Sequence, residues 1–160
     1  MPTFEFKRLK RTIIIYRTVQ TVLVALLIFV ALQFQHQFAL LGKSQQFIST
    51  IITAVVIQLI LLYPIYKLAW RDAGIMIEGC ATGLTKEQQT ALRKKSLMSD
   101  LWKFSGIAFY IAFVALAPDI KKASGAPLVL ATIIFSFLIT CLTYFQCFNF
   151  SAKKRMKEIS

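Results

Sequence analysis

The chain has 160 residues, with 19 Lys and Arg against 7 Asp and Glu, for a formal charge of +12. Only 16% of its residues are charged and 57% are hydrophobic, unlike an ordinary soluble domain at about 25% charged and 45–50% apolar. That balance excludes a disordered chain, the length allows one domain, and the composition predicts a membrane protein.

The N-terminal segment interleaves Phe4, Phe6, Leu9, Ile13, Ile14 and Ile15 with Lys and Arg. It predicts a short amphipathic lead-in lying along the inner membrane surface, or a first helix that simply continues through Arg17, whose side chain snorkels to the phosphates. Between Arg17 and Lys43 lie 25 uncharged residues, and a first span is placed near 18–37. The run is too long for a cleaved signal peptide, and no small-x-small site follows it. Gln33, Gln35, His36 and Gln37 make a polar patch at its outer end.

Another 23 uncharged residues separate Lys43 from Lys67, giving a second span near 47–66. Thr50, Ala54 and Gln58 share one stripe of it. Gln58 falls near the bilayer midplane, where an unpaired amide is costly. Pro64 reads as a kink or boundary near the inner end.

Residues 67–101 are expected to form a cytoplasmic loop. Gly74, Gly79 and Gly83 punctuate its first half. Thr85 followed by Gln88 is a capping pair, predicting a loop helix through about Leu97. Gln88, Ala91, Leu92 and Lys95 would share a face, and Arg93, Lys94 and Lys95 would meet lipid phosphates. The run Gly79–Gly83 lacks the Gly-Lys-Ser/Thr ending of a phosphate loop.

A third span is placed near 102–118, with Lys103 snorkelling and Pro118 ending it. Ala108, Ala112 and Ala115 form a small-residue stripe, and the Tyr110 hydroxyl is expected to find a partner. Thirty uncharged residues between Lys122 and Lys153 supply a fourth span near 127–148. On it Thr132, Ser136, Thr140 and Thr143 fall within an arc of about 80°.

A bilayer core takes about 20 residues of helix. These runs are continuously apolar, so they are not the alternating strands of a barrel. Sorted by connection, the basic residues number 16 on one side and 3 on the other. Positive charge is retained inside, so the N-terminus, the 67–101 loop and the C-terminus all face the cytoplasm. The expected fold is an all-α integral membrane protein. Four transmembrane helices form two helical hairpins in the cytoplasmic (inner) membrane. The same asymmetry explains the basic charge without nucleic acid, and it attracts anionic lipid.

Catalytic sets are missing from the sequence. The one histidine, His36, lies at the outer end of the first span, away from every cysteine, so no Cys–His pair is expected. The cysteines Cys80, Cys141 and Cys147 form no Cys-x-x-Cys pair, so neither a disulfide nor a thiol relay is expected. No metal or cofactor is expected. No carboxylate falls within a predicted span, as proton-coupled carriers require; four-span multidrug transporters place a glutamate in their first span. The size and span count resemble those of four-span immunity proteins against pore-forming bacteriocins.

The sequence therefore predicts a non-enzymatic protein that binds another membrane component, as an accessory subunit or immunity-type protein. The partner would be another membrane protein or a second copy of itself. Gln58, Thr132, Ser136, Thr140 and Thr143 are the candidate packing or partner face. The alternative is a small oligomeric transporter or channel whose path those residues line.

Overall fold

A computed structural model describes residues 4–116 and 125–159. It contains four helices in chain order: α1 Lys7–Leu40, α2 Ser44–Glu78, α3 Lys86–Leu116 and α4 Ala126–Ile159. The outer connection with Lys121 and Lys122, and the end of the third predicted span at Pro118, lie outside the described residues.

Helices α1, α2 and α4 each contain one predicted span, and α3 covers the third as far as Leu116; all four extend well beyond the uncharged runs. At about 1.5 Å per residue, 31 to 35 residues reach roughly 46 to 52 Å, against a hydrocarbon core of about 30 Å. The extra length is charged. The N-terminal lead-in is not a separate segment, because α1 is continuous from Lys7. The expected 67–101 loop is likewise mostly helix. Helix α2 runs through Pro64 to Glu78, and α3 starts at Lys86, leaving residues 79–85 as the connection. The loop helix proves to be the first turns of α3.

Local signals fix the two described turns. At the start of α3, the Gln88 N–H donates to Thr85 Oγ1 at 3.2 Å, and the Thr85 N–H donates to Gln88 Oε1 at 3.0 Å. This is the reciprocal capping pair read from the sequence. Helix α1 ends where Gly42 takes a positive φ of 66°. The Lys43 and Gly42 N–H groups donate back to the Phe38 and Ala39 carbonyls, at 2.9 and 3.0 Å. That is the glycine-closed helix end that caps orphan carbonyls before a reversal.

Pairings between helices give their directions. Gln58 meets Thr140 and Thr143, and Gly74 faces Arg155, so α2 and α4 run parallel. Phe38 packs on Phe47, and Asp72 meets Ser99, so α1 and α3 each run antiparallel to α2. Both chain ends and the 79–85 connection therefore gather at one end, here called basal. The 41–43 turn lies at the opposite, apical end.

The most extensive seam joins α2 to α4. It is lined by fully buried small residues, among them Ala54, Ala69, Ala73, Ala131 and Ala152, which let two backbones approach closely. The expected Thr50–Ala54–Gln58 stripe is buried, and it continues through Ile65, Ala69, Asp72 and Ile77. A basal core gathers Leu9, Ile13, Ala73, Ile77 and Phe148. An apical core gathers Phe38, Ala54, Ala131 and Phe135. Among the described residues, three helices are long and apolar enough to cross a membrane: α1, α2 and α4.

Candidate functional site

Two polar clusters are built into the bundle. Gln58 is 9% exposed, and its Nε2 donates to Thr143 Oγ1 at 2.8 Å. Its Oε1 accepts from Thr140 Oγ1 at 3.1 Å. Thr143 also donates to the Ile139 carbonyl at 2.8 Å. Both heteroatoms of the Gln58 amide are thus committed to α4, which removes the desolvation cost of placing it there. Of the predicted polar arc on α4, Thr140 and Thr143 meet α2. Thr132 donates within its own helix to Leu128. Ser136 is buried, with no hydrogen-bond partner for its Oγ among the described residues. Tyr110 of α3 pairs its hydroxyl with Thr140 and packs its ring 4.8 Å from Phe137, so the hydroxyl has the partner that the sequence predicts.

The second cluster is centred on Asp72, which sequence reasoning placed in a loop. It is only 5% exposed. Ser99 donates its hydroxyl to Asp72 Oδ1. The Tyr144 hydroxyl donates to Oδ2 at 2.6 Å, and Lys103 Nζ lies 3.1 Å from the same oxygen. Lys103 also pairs with Asp100 at 2.9 Å and sits 5.5 Å above the Tyr144 ring. Arg71 Nε is 3.9 Å from Oδ1. The carboxylate is thereby paired and hydrogen-bonded on both oxygens, the condition under which a buried charge is tolerated. One side chain of α2 ties down both α3 and α4. Lys103, expected to snorkel to headgroups, instead turns into the bundle.

A third contact joins α1 to α4. Gln20 donates to Gln146 at 3.0 Å and accepts from Asn149 at 3.0 Å.

The lipid-phosphate candidates divide. Arg17, Arg93 and Lys94 are exposed. Lys95 is also exposed but sits 3.8 Å from Glu78 and lines a basal cleft. His36 and its neighbouring glutamines are exposed on the apical part of α1. Cys80 lies on the 79–85 connection, where its carbonyl accepts from the Glu5 N–H at 2.9 Å. Burial pushes its thiol above its usual range, more than the opposing effects of a Leu9 backbone contact and the Arg8 charge.

Helix α3 is held unlike the others. Among its described residues only Ser99 is buried, and Leu92, Lys103 and Tyr110 are half-buried. These four fall at spacings of seven, four and seven, which is one narrow seam. The remaining surface exposes Phe104, Ile107 and Ile111. Ala108 and Ala112 of the predicted stripe are exposed too. Ala115 borders an apolar groove of about 370 Å³ between α3, α4 and α1, which Leu26, Val30 and Phe137 also line.

Comparison with known protein families, with characterised proteins and with solved structures finds no match to this chain.

Proposed function

We propose that this chain is a non-enzymatic four-span protein of the cytoplasmic membrane that binds another membrane protein through α3. The observation that carries the reading is how little of α3 its own bundle buries: among its described residues, Ser99 alone. A helix in lipid gains nothing from simple apolar burial, so association depends on close packing and small residues. Helix α3 presents Ala108 and Ala112, flanked by Ile107 and Ile111, beside a groove that can receive a partner's side chains. Among the described residues, its attachment to its own bundle is one narrow seam, from Leu92 through Ser99 and Lys103 to Tyr110. An accessory subunit or an immunity-type inhibitor needs such an unpaired helix; a second copy of this chain would use it equally.

Membrane placement is supported by charge. The charge-free part of every helix lies toward the apical end. Lys7–Arg17, Lys67–Glu78, Lys86–Lys103 and Lys153–Glu158 supply the basal charges. Both termini then sit in the cytoplasm by the retention of positive charge. In this reading α3 makes the third crossing in chain order, which the contact of Tyr110 with Phe137 on α4, a candidate membrane span, supports.

A photo-crosslinking amino acid at Ala112, compared with one at Ile60 on the exposed face of α2, tests the reading in intact membranes. A discrete product at Ala112, containing a second polypeptide identified by mass spectrometry, is expected, with none at Ile60. Lipid adducts alone at both positions would remove α3 as a docking helix.

A further inference from the structure

The basal end carries two adjoining clefts of about 660 and 810 Å³. They share Trp70, Gly74, Glu78, Lys95 and Arg155. Four cations line the larger, Lys67, Arg71, Lys95 and Arg155, against the single carboxylate of Glu78. Lys95 and Arg71 each have a carboxylate within 4.0 Å. Among the described residues, Arg155 and Lys67 have none.

Arg155 is nevertheless held in place. Its guanidinium lies 4.2 Å from the centre of the Trp70 ring, and Lys154 Nζ is 5.6 Å from the same centre. Gly74 makes the room: a Cβ there would collide with Arg155 Nη1. Stacking satisfies the flat face of a guanidinium but none of its five N–H donors. The fork is therefore positioned by an indole, half-buried, and without an anion. The cleft walls around it are apolar: Ile75 and Met98 lie near its own level, and Leu68 and Pro64 continue toward the uncharged part of α2.

A planar donor fork suits phosphate, and apolar walls suit acyl chains. We propose that this cleft binds the headgroup of an anionic glycerophospholipid. The phosphate sits on Arg155 and Lys95, and the acyl chains run from Ile75 and Met98 past Leu68 and Pro64 toward the bilayer. The site rests on the membrane placement above but not on the docking role of α3. It shares Lys95 with the expected phosphate patch of Arg93, Lys94 and Lys95, but Arg93 and Lys94 line neither cleft.

Native mass spectrometry of the full chain, released from detergent with equimolar dioleoyl phosphatidylglycerol and phosphatidylcholine, tests it. Phosphatidylglycerol adducts should dominate. Arg155→Ala should lower their affinity by about tenfold, the scale of one charge-assisted contact. Gly74→Ala should weaken them as well, because it pushes the guanidinium off Trp70 while the net charge is unchanged. Arg93→Ala should stay within about twofold. Equal binding of phosphatidylcholine, or adducts unchanged in both Arg155→Ala and Gly74→Ala, would overturn the proposal. So would complete displacement of the lipid by millimolar inorganic phosphate, which would mark a free-anion site. A chain that stays in solution without detergent would instead overturn the membrane placement.

Discussion

Phe34, Phe38, Phe47 and Phe135 close the apical part of the bundle, with ring centres 5.9 to 6.5 Å apart. The basal part is tied by Asp72, Ser99, Lys103 and Tyr144. The difference follows from the solvent. Where lipid surrounds the helices, apolar contact costs no desolvation and gains only packing. Where water approaches, a paired charge becomes affordable, and Lys103 keeps 29% of its side chain exposed. Gln58 lies between these regimes and uses a neutral amide. The consequence concerns α3: among the described residues it adds no ring to the aromatic closure, so its described attachment depends on the basal polar seam and on Tyr110.

Removing the centre of that seam should have the largest effect. Asp72→Ala leaves Lys103 without its buried partner and strands the Tyr144 and Ser99 hydroxyls. A loss of about 2–4 kcal/mol is expected, toward the lower end because Lys103 is partly solvated. Unfolding in mixed detergent measures it. In a cysteine-free background, spin labels at Ile107→Cys and Val129→Cys should show a broadened α3–α4 distance, while the α2–α4 seam stays intact. An unchanged distance would mean that α3 is held by something other than Asp72.

Lys103→Met keeps the aliphatic stem and deletes the charge, leaving Asp72 with its two hydroxyl donors. A smaller loss of about 1–2 kcal/mol is expected in the same assay.

Gln58→Leu should cost less again, about 0.6–1.7 kcal/mol, the range for polar contacts between membrane helices. Paired with Thr143→Val in a double-mutant cycle, it should show coupling, because the two side chains form one contact. Strict additivity would separate Gln58 from α4.

Much of this contrast was legible in the sequence. Charge-free runs located the helices, Thr85 and Gln88 marked the start of α3, and Thr50, Ala54 and Gln58 marked the buried stripe of α2. Asp72 was missed because a charged residue near a predicted membrane edge reads as solvated. Yet it continues the same stripe, at one turn or two beyond Ile65 and Ala69. Ser99, Lys103 and Tyr110 also share one face of α3, but a seam made of polar residues does not register as a core. The length of the helices was hidden for a related reason: charges end a hydropathy window without ending a helix. The Leu-Leu-Gly-Lys run at 40–43 signalled a glycine-closed end and went unread.

The smallest expected effect probes how dry the basal end is. Cys80 packs beside the basal core with Phe6, and burial raises its thiol. A raised value means less thiolate at neutral pH, and the thiolate is the reactive form. In a Cys141→Ser, Cys147→Ser background, alkylation of Cys80 should be slower than that of a free thiol near pH 7. Its rate should climb over a window displaced upward from the usual value of about 8.5. Phe6→Ala removes a side chain packed on the same basal core and should move the rate toward that of free cysteine, with little change in global stability. If Cys80 reacts like a free thiol from the outset, water reaches this corner of the basal core, and the line between the dry seam at Asp72 and its solvated surroundings must be drawn closer to α4.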